Sequence, residues 1–223
     1  LEVRAGQYMR FQLGNGDSRC FSIANLPAQE QGQLVFHIRK VSGGLFSESV
    51  LPALQAGASV TLEGPLGACT WQHEDQHPLV LFATGTGYAG IKPLLLTALA
   101  RDAEVTLYWG GSSQADFYDH DFLEQASRAH PHFRWYPIRS DQAQVQQAAL
   151  AHPHRWADTQ VYACGNATMI SQAREHCIAA GVHPHRFVAE AFVASGTPAA
   201  QASSASTLHP ELEKVGPRYS LDG

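Results

Sequence analysis

The chain of 223 residues can bury one large core or two small ones. Charged residues make up 16% of it and the net charge is -5 with no Lys/Arg cluster, which excludes a general attraction to nucleic acid or an anionic membrane. No apolar run is as long as a membrane span, and four scattered cysteines without metal-ligating spacing suggest reduced thiols in a cytoplasmic protein with no metal centre.

Residues 1 to about 74 read as short strands with turn punctuation. Strands are expected at Gln7 to Leu13, Cys20 to Ala24, Gln33 to Lys40 and Ser59 to Glu63, with Asn15-Gly16 as a hairpin turn. Strands at this spacing predict a small antiparallel β-barrel. A helix over Leu45 to Leu54 follows Ser42-Gly43-Gly44, either a phosphate cradle at a helix start or a plain loop. Opening at Leu1 rather than Met, in sequence that already reads as structured, the chain is expected to be a fragment.

A histidine-rich stretch, His73 to His77, reads as a linker, and from Pro78 the rhythm becomes strand, helix, strand, helix. Strands are expected at Leu79 to Ala83, Val105 to Trp109, Phe133 to Ile138 and Gln160 to Ala163. Helices are expected at Ile91 to Ala100, Phe117 to Ala129, Ala143 to Ala151 and Ala167 to Ala180. This alternation predicts a doubly wound parallel α/β sheet with ligand at the carboxyl ends of its strands. There, Gly85-Thr86-Gly87-Tyr88-Ala89-Gly90 fits the spacing of a dinucleotide-binding turn between strand and helix. The acidic ribose partner expected about 20 residues on is missing, which disfavours the ordinary dehydrogenase type.

His-Pro-His occurs at 130 to 132, 152 to 154 and 183 to 185, each time between a helix and a strand; solvated turns are favoured over metal ligands. Residues 195–223 begin with an Ala/Ser/Gln/Thr stretch too polar to fold alone and read as linker and tail.

Eight segments in order resemble the ferredoxin-NADP reductase superfamily, especially its flavin reductase and oxygenase reductase branches. They are Ala5-Gly6-Gln7-Tyr8, Arg19-Cys20-Phe21-Ser22, Gly43-Gly44-x-x-Ser47, Gly64-Pro65-Leu66-Gly67, Gly85-Thr86-Gly87-x-Ala89, Leu107-Tyr108-Trp109-Gly110, Tyr162-x-Cys164-Gly165 and Glu190-x-Phe192. The resemblance implies an FAD-binding barrel (FAD rather than FMN) over residues 1–74 and an NAD(P)H-binding α/β domain over 75–194. Arg19 would contact the flavin phosphate, Cys20 lies within the same motif, Phe21 would pack on the ring system, and Ser22 would lie near flavin N5. His37, Ile38, Arg39 and Val41 fall where the family lines the ribityl chain, and Gly43, Gly44 and Ser47 would hold phosphates. Thr84, Gly85, Thr86 and Gly87 would take the dinucleotide phosphates, with Gly110 at the next strand end. Cys164, followed by Gly165, would sit beside the nicotinamide C4, and Glu190 and Phe192 match the family's carboxylate and aromatic. Ser22, Cys164 and Glu190 are the catalytic candidates.

Three departures carry expectations of their own. Two further barrel strands usually precede Ala-Gly-Gln, so strand edges should be exposed unless another segment, such as Leu208 to Tyr219, packs there. Gly90 replaces the usual proline and should loosen the turn. Arg139-Ser140 inverts the Ser-Arg of NADPH-specific relatives, which points to NADH. The resemblance thus implies an oxidoreductase passing hydride from NADH or NADPH to FAD and electrons onward to an iron-sulfur protein or domain, free flavin or a small acceptor. The alternative is a non-catalytic nucleotide-binding module on the same fold.

Overall fold

A computed structural model describes residues 1–72, 77–192 and, by backbone, 219–220. Most of the expected linker at His73 to His77 and most of 195–223 lie outside the described residues.

The first unit is an antiparallel sheet of order β2-β1-β3-β9, with β1 (Tyr8–Gln12), β2 (Ser18–Ser22), β3 (Thr61–Leu66) and β9 (Tyr219–Ser220). β1 and β2 form the expected hairpin, Tyr8 opposite Ser22; Leu13 N–H donates to Asp17 O across the turn at 2.8 Å. Met9, Phe11, Leu13, Ile23, Phe46 and Leu62 bury its core. Gln33 to Lys40 is not the expected strand: it forms one bridge, Ile23 to Phe36, and the Asn25 side chain takes up Gln33 O and Val35 N–H at 2.9 and 3.0 Å. Its alternation reflects Leu34, Phe36 and Ile38 turning inward onto that core. The helix expected over Leu45 to Leu54 is a wide turn, Phe46–Val50, followed by a tight one, Leu51–Ala53, with Pro52 at its start. Tyr219 and Ser220, expected in the tail, pair with Leu62 and Thr61 on the otherwise open edge of β3.

The second unit is the parallel sheet expected from the alternation, in the order β6-β5-β4-β7-β8. Its strands are β4 (Leu79–Thr84), β5 (Val105–Gly111), β6 (Phe133–Arg139), β7 (Gln160–Asn166) and β8 (Phe187–Phe192). Helices α1 (Tyr88–Ala100), α2 (His120–Ala129), α3 (Val145–Leu150) and α4 (Ala167–Ala179) cover it. The continuous apolar run of β4 is explained by burial on both faces. Leu79, Leu81 and Ala83 join the core containing Leu94 and Leu123, whereas Val80 and Phe82 join the core containing Ala149 and Ala173. Each of the Leu, Val and Phe side chains contributes roughly 1.5–3 kcal/mol. α2 and α3 are shorter than expected; α2 starts only at His120, after a short turn Gln114–Asp116 capped by Ser113.

Candidate functional site

At the carboxyl edge β4 ends at Thr84, turns through Gly85–Gly87 and enters α1. Gly85 adopts φ +52, and its carbonyl accepts from Trp109 Nε1 at 2.9 Å. A Cβ on Gly87 would lie 2.2 Å from the Cys164 carbonyl oxygen, so the start of α1 rests directly on the end of β7. Thr84 Oγ1 accepts from Asn166 N at 3.2 Å, and Gly165, at φ +151, leaves no room there for a side chain. The turn is anchored from below: Tyr88 stacks on Trp109 at 4.0 Å and donates to Asp119 at 2.8 Å, while Lys92 pairs with the same carboxylate at 2.7 Å. Burial, then Asp119, pushes the Tyr88 phenol up.

Beside this turn opens a cavity of about 590 Å³, bordered by Thr84, Gly85, Gly110, Ile138, Asn166 and Phe192 from the five strand ends and turns, and by Arg39 from the first unit. Gly110 forms part of its wall, and a Cβ there would crowd Val145 and Thr84 at 3.0 and 3.1 Å. Arg39 and Asp116 are its charged lining residues, and Asp116 is engaged by the N–H groups of Ser112 and Ser113 at 2.6 and 3.0 Å. Arg39 Nη1 stands 3.9 Å from where a Gly85 Cβ would be, on the glycine turn.

Ser22 and Cys164, from different sheets, come together around Gly90. A Cβ on Gly90 would meet Cys164 Sγ at 3.0 Å and Ser22 Oγ at 3.1 Å. Both side chains are buried. Gly90 lies inside α1, which runs from Tyr88, rather than in the turn itself. Cys164 Sγ is 4.0 Å from Cys69 Sγ; that hydrogen bond, then burial, holds the Cys164 thiol well above its ordinary pKa. Glu190 pairs in register with Cys164, and its carboxyl is raised by burial and partly drawn back by the Ala68 N–H.

The remaining predicted residues lie on the first unit. Arg19 is half-buried on β2 and donates to Ser18 O at 2.7 Å; Cys20 is exposed opposite Arg10. The Phe21 ring contacts Phe11 and Phe46 at 5.3 and 4.7 Å, and Ile38 packs on the same core. His37 reaches the second unit, its Nδ1 2.9 Å from Tyr118 Oη; burial, then Lys92, lowers its pKa. Val41 N–H donates to the buried Ser47 Oγ at 2.9 Å, Gly44 N–H to Val41 O at 3.0 Å, and Gly43 N–H to the Glu48 carboxylate at 2.5 Å. A backbone donor in this loop thus already takes an anionic oxygen, the chemistry a phosphate group would need.

Thr84, Gly85, Thr86, Gly110, Phe192 and Arg39 therefore gather around one cavity, Gly87 is packed on the end of β7, and Ser22, Cys164 and Glu190 meet at the junction of the two sheets. Gly43, Gly44 and Ser47 form a separate loop. Sequence reasoning missed Cys69, Asp119 and Tyr118, whose positions depend on chain crossings that no local pattern announces.

Residues 1–71 match the oxidoreductase FAD-binding domain family and residues 81–175 the oxidoreductase NAD-binding domain family. The chain is 32% identical over 205 residues to the CDP-6-deoxy-L-threo-D-glycero-4-hexulose-3-dehydrase reductase of Yersinia pseudotuberculosis, covering 87% of this chain and 61% of that protein. It is 28% identical to the NAD(P)H-flavin reductase of Aliivibrio fischeri, covering 78% and 80%. Among solved structures it is similar to the Amycolatopsis cytochrome P450 reductase GcoB, with 31% identity and a TM-score of 0.79, covering 86% and 62%. The chain spans about 61% of the length of the first curated relatives it matches.

Proposed function

The chain belongs to the ferredoxin-NADP reductase superfamily, and from that membership we propose that it moves a hydride from NADH to FAD and hands the electrons onward. The observation that carries this reading is the meeting of Ser22 and Cys164 across Gly90, beside the cavity at the carboxyl ends of the parallel strands. When bound, FAD supplies a ring that takes two electrons and the nicotinamide supplies the hydride, so the protein's own work is placement.

Arg39 and the N–H groups of the Gly85–Gly87 turn meet the dinucleotide diphosphate, aided by the positive end of α1. Thr84, Gly110 and Gly165 keep the backbone close on that side, and Phe192 borders the same cavity. On the first unit, Arg19 and the Gly43, Gly44 and Ser47 loop hold the flavin phosphates, with Cys20, Phe21, His37, Ile38 and Val41 flanking the rest of the group. Ser22 offers a hydroxyl to flavin N5. Cys164, kept as a neutral thiol, fills the nicotinamide side without placing an anion beside the departing hydride, and Glu190 stands next to it as a carboxyl with raised pKa.

NADH is favoured over NADPH because Arg39 is the sole cation among the described lining residues and Asp116 shares that lining. Arg139, at the end of β6, is engaged by Asp141 at 3.1 and 2.5 Å. The electrons go to an iron-sulfur protein or domain, free flavin or a small oxidant. Anaerobic NADH added to FAD-loaded protein should bleach the flavin faster than NADPH does; an unchanged flavin spectrum overturns the reading. Ser22→Ala should slow that bleaching about tenfold, a barrier change of roughly 1.4 kcal/mol, with flavin retained. Loss of flavin instead would remove Ser22 from the N5 role.

A further inference from the structure

We infer that Cys69 and Cys164 form a dithiol site that peroxide oxidises to a disulfide tying the flavin-side unit to the parallel sheet. Their sulfurs are 4.0 Å apart although 95 positions separate them in the chain, and both side chains are buried, at 0% and 1% exposed. Cys69 lies just after β3, and Cys164 at the carboxyl end of β7. The Cys69 backbone is wedged in place, since a Cβ on Gly6 would fall 1.9 Å from its carbonyl oxygen. Closing from van der Waals contact to a bond brings the two sulfurs about 2 Å nearer each other. The other two thiols differ: Cys20 is exposed on β2, and Cys177 is buried in α4 with its thiol pushed up to about 12 by burial.

Peroxide is the oxidant this protein would itself produce, because reduced flavin left without its acceptor reduces dioxygen to hydrogen peroxide. That source rests on the proposed hydride transfer to FAD; the cross-link does not. In the first step one thiol sulfur attacks a peroxide oxygen, the O–O bond breaks, and a sulfenic acid and water result. The neighbouring thiol then attacks that sulfur, the S–O bond breaks, the S–S bond forms and a second water leaves. Two thiols lose two electrons and two protons, and one peroxide becomes two waters. The high pKa of Cys164 keeps its thiolate fraction small, so the site responds to sustained rather than trace peroxide. A second thiol at 4.0 Å intercepts the sulfenic acid before it is oxidised further.

Closing this bond turns the Cys164 thiol, which meets Ser22 at the Gly90 Cβ position, into half of a disulfide. The nicotinamide-side contact changes, and hydride transfer should slow.

The test uses the full chain with FAD bound, hydrogen peroxide as reagent and dithiothreitol as reductant. Peroxide should lower the mass of the chain by two hydrogens, yield a Cys69–Cys164 linked peptide on digestion, and slow flavin bleaching by NADH about tenfold, all reversed by dithiothreitol. Cys69→Ala and Cys69→Ser should form no link and should not show the reversible slowing. A Cys164 sulfinic acid without a link, a link through Cys20, or equal reversible slowing of the Cys69 variants overturns the inference. If those variants fail to fold, the linked peptide of the parent chain decides it. Should the untreated protein take no hydride from NADH while the linked peptide still forms, the flavin reading fails and the dithiol site stands.

Discussion

At the scale of single residues, the site depends on where side chains are missing. Gly87 and Gly90 both lie against Cys164, but they meet different atoms. At Gly87 a Cβ would strike backbone, the Cys164 carbonyl oxygen at 2.2 Å, and neither α1 nor β7 can give way without moving a whole element. At Gly90 it would meet two side-chain ends at 3.0 and 3.1 Å, which can shift by a few tenths of an ångström. The two alanine substitutions should therefore separate stability from placement. Gly87→Ala should lose about 1–3 kcal/mol in denaturant unfolding. Gly90→Ala should melt close to the parent yet reduce its flavin with NADH about tenfold or more slowly, since a displacement of ~1 Å near the reacting atoms costs up to ~100-fold. Stopped-flow reduction beside thermal melting reads both, and equal effects of the two substitutions on melting would contradict this division. The sequence shows Gly90 only as a missing proline. Its role depends on β2 and β7 converging on the same turn of α1, which no window of the sequence contains.

Among the elements, the loop 152–154 does more than the solvated turn that its His-Pro-His pattern suggests. His152 Nδ1 and His154 Nε2 lie 2.7 and 2.9 Å from the hydroxyl of Tyr108, a fully buried residue in the middle of β5. One phenol has one proton to give, so one ring accepts it while the other donates its own N–H. Tyr136 stacks on both Tyr108 and His152, and Trp156 covers His154. Burial, then the neighbouring His152, lowers the His154 pKa, opposed by Glu104. Between that lowered value and the unfolded value near 6.5, the unfolded chain binds a proton that the folded chain refuses, so stability falls as pH drops through this window. His37, also lowered, acts in the same direction, whereas the raised carboxyl of Glu190 acts in reverse at lower pH, above its unfolded value. The melting temperature should therefore decline as the pH falls through about 6.5, and His154→Gln should flatten but not abolish the decline. A parallel curve for the variant would mean the clasp does not titrate.

The parallel unit was largely legible because its strands are apolar throughout and its glycine turn sits at a strand-to-helix junction. β8 went unread, its Phe187–Phe192 sequence being a short, half-exposed edge strand that only pairing with β7 defines. Gln33 to Lys40 erred the other way, showing strand alternation where only the bridge of Phe36 to Ile23 forms. Of the site, the strand-end glycines were legible from local spacing, whereas Arg39's place at the cavity depends on how the two units meet.

Across the whole molecule, the two units are joined at several points around the site. His37 reaches Tyr118, Trp71 stacks near Tyr162, Ala68 N–H donates to Glu190, and the two thiols touch. Arg39 belongs to this set: it comes from the first unit, yet it lines the cavity of the second and stands on the Gly85 turn. Two roles for it make opposite forecasts. A guanidinium on the flavin chain, as the family resemblance implies, would loosen flavin when removed. A guanidinium on the dinucleotide diphosphate would leave flavin in place and weaken NADH. The cavity lining favours the second, because Arg39 shares it with Gly85, Thr86 and Gly110 and with none of Arg19, Gly43 or Ser47. Removing one charge-assisted contact of roughly 1.5–3 kcal/mol should raise the dissociation constant for NADH by about 10–100-fold. Arg39→Gln is therefore expected to bind FAD as the parent does, to show that loss in calorimetric titration with NAD⁺ or in the NADH dependence of flavin reduction, and to keep its limiting reduction rate within about threefold, because the diphosphate contact is made equally before and during hydride transfer. Flavin lost on gel filtration with NAD⁺ affinity unchanged would move Arg39 back to the flavin chain.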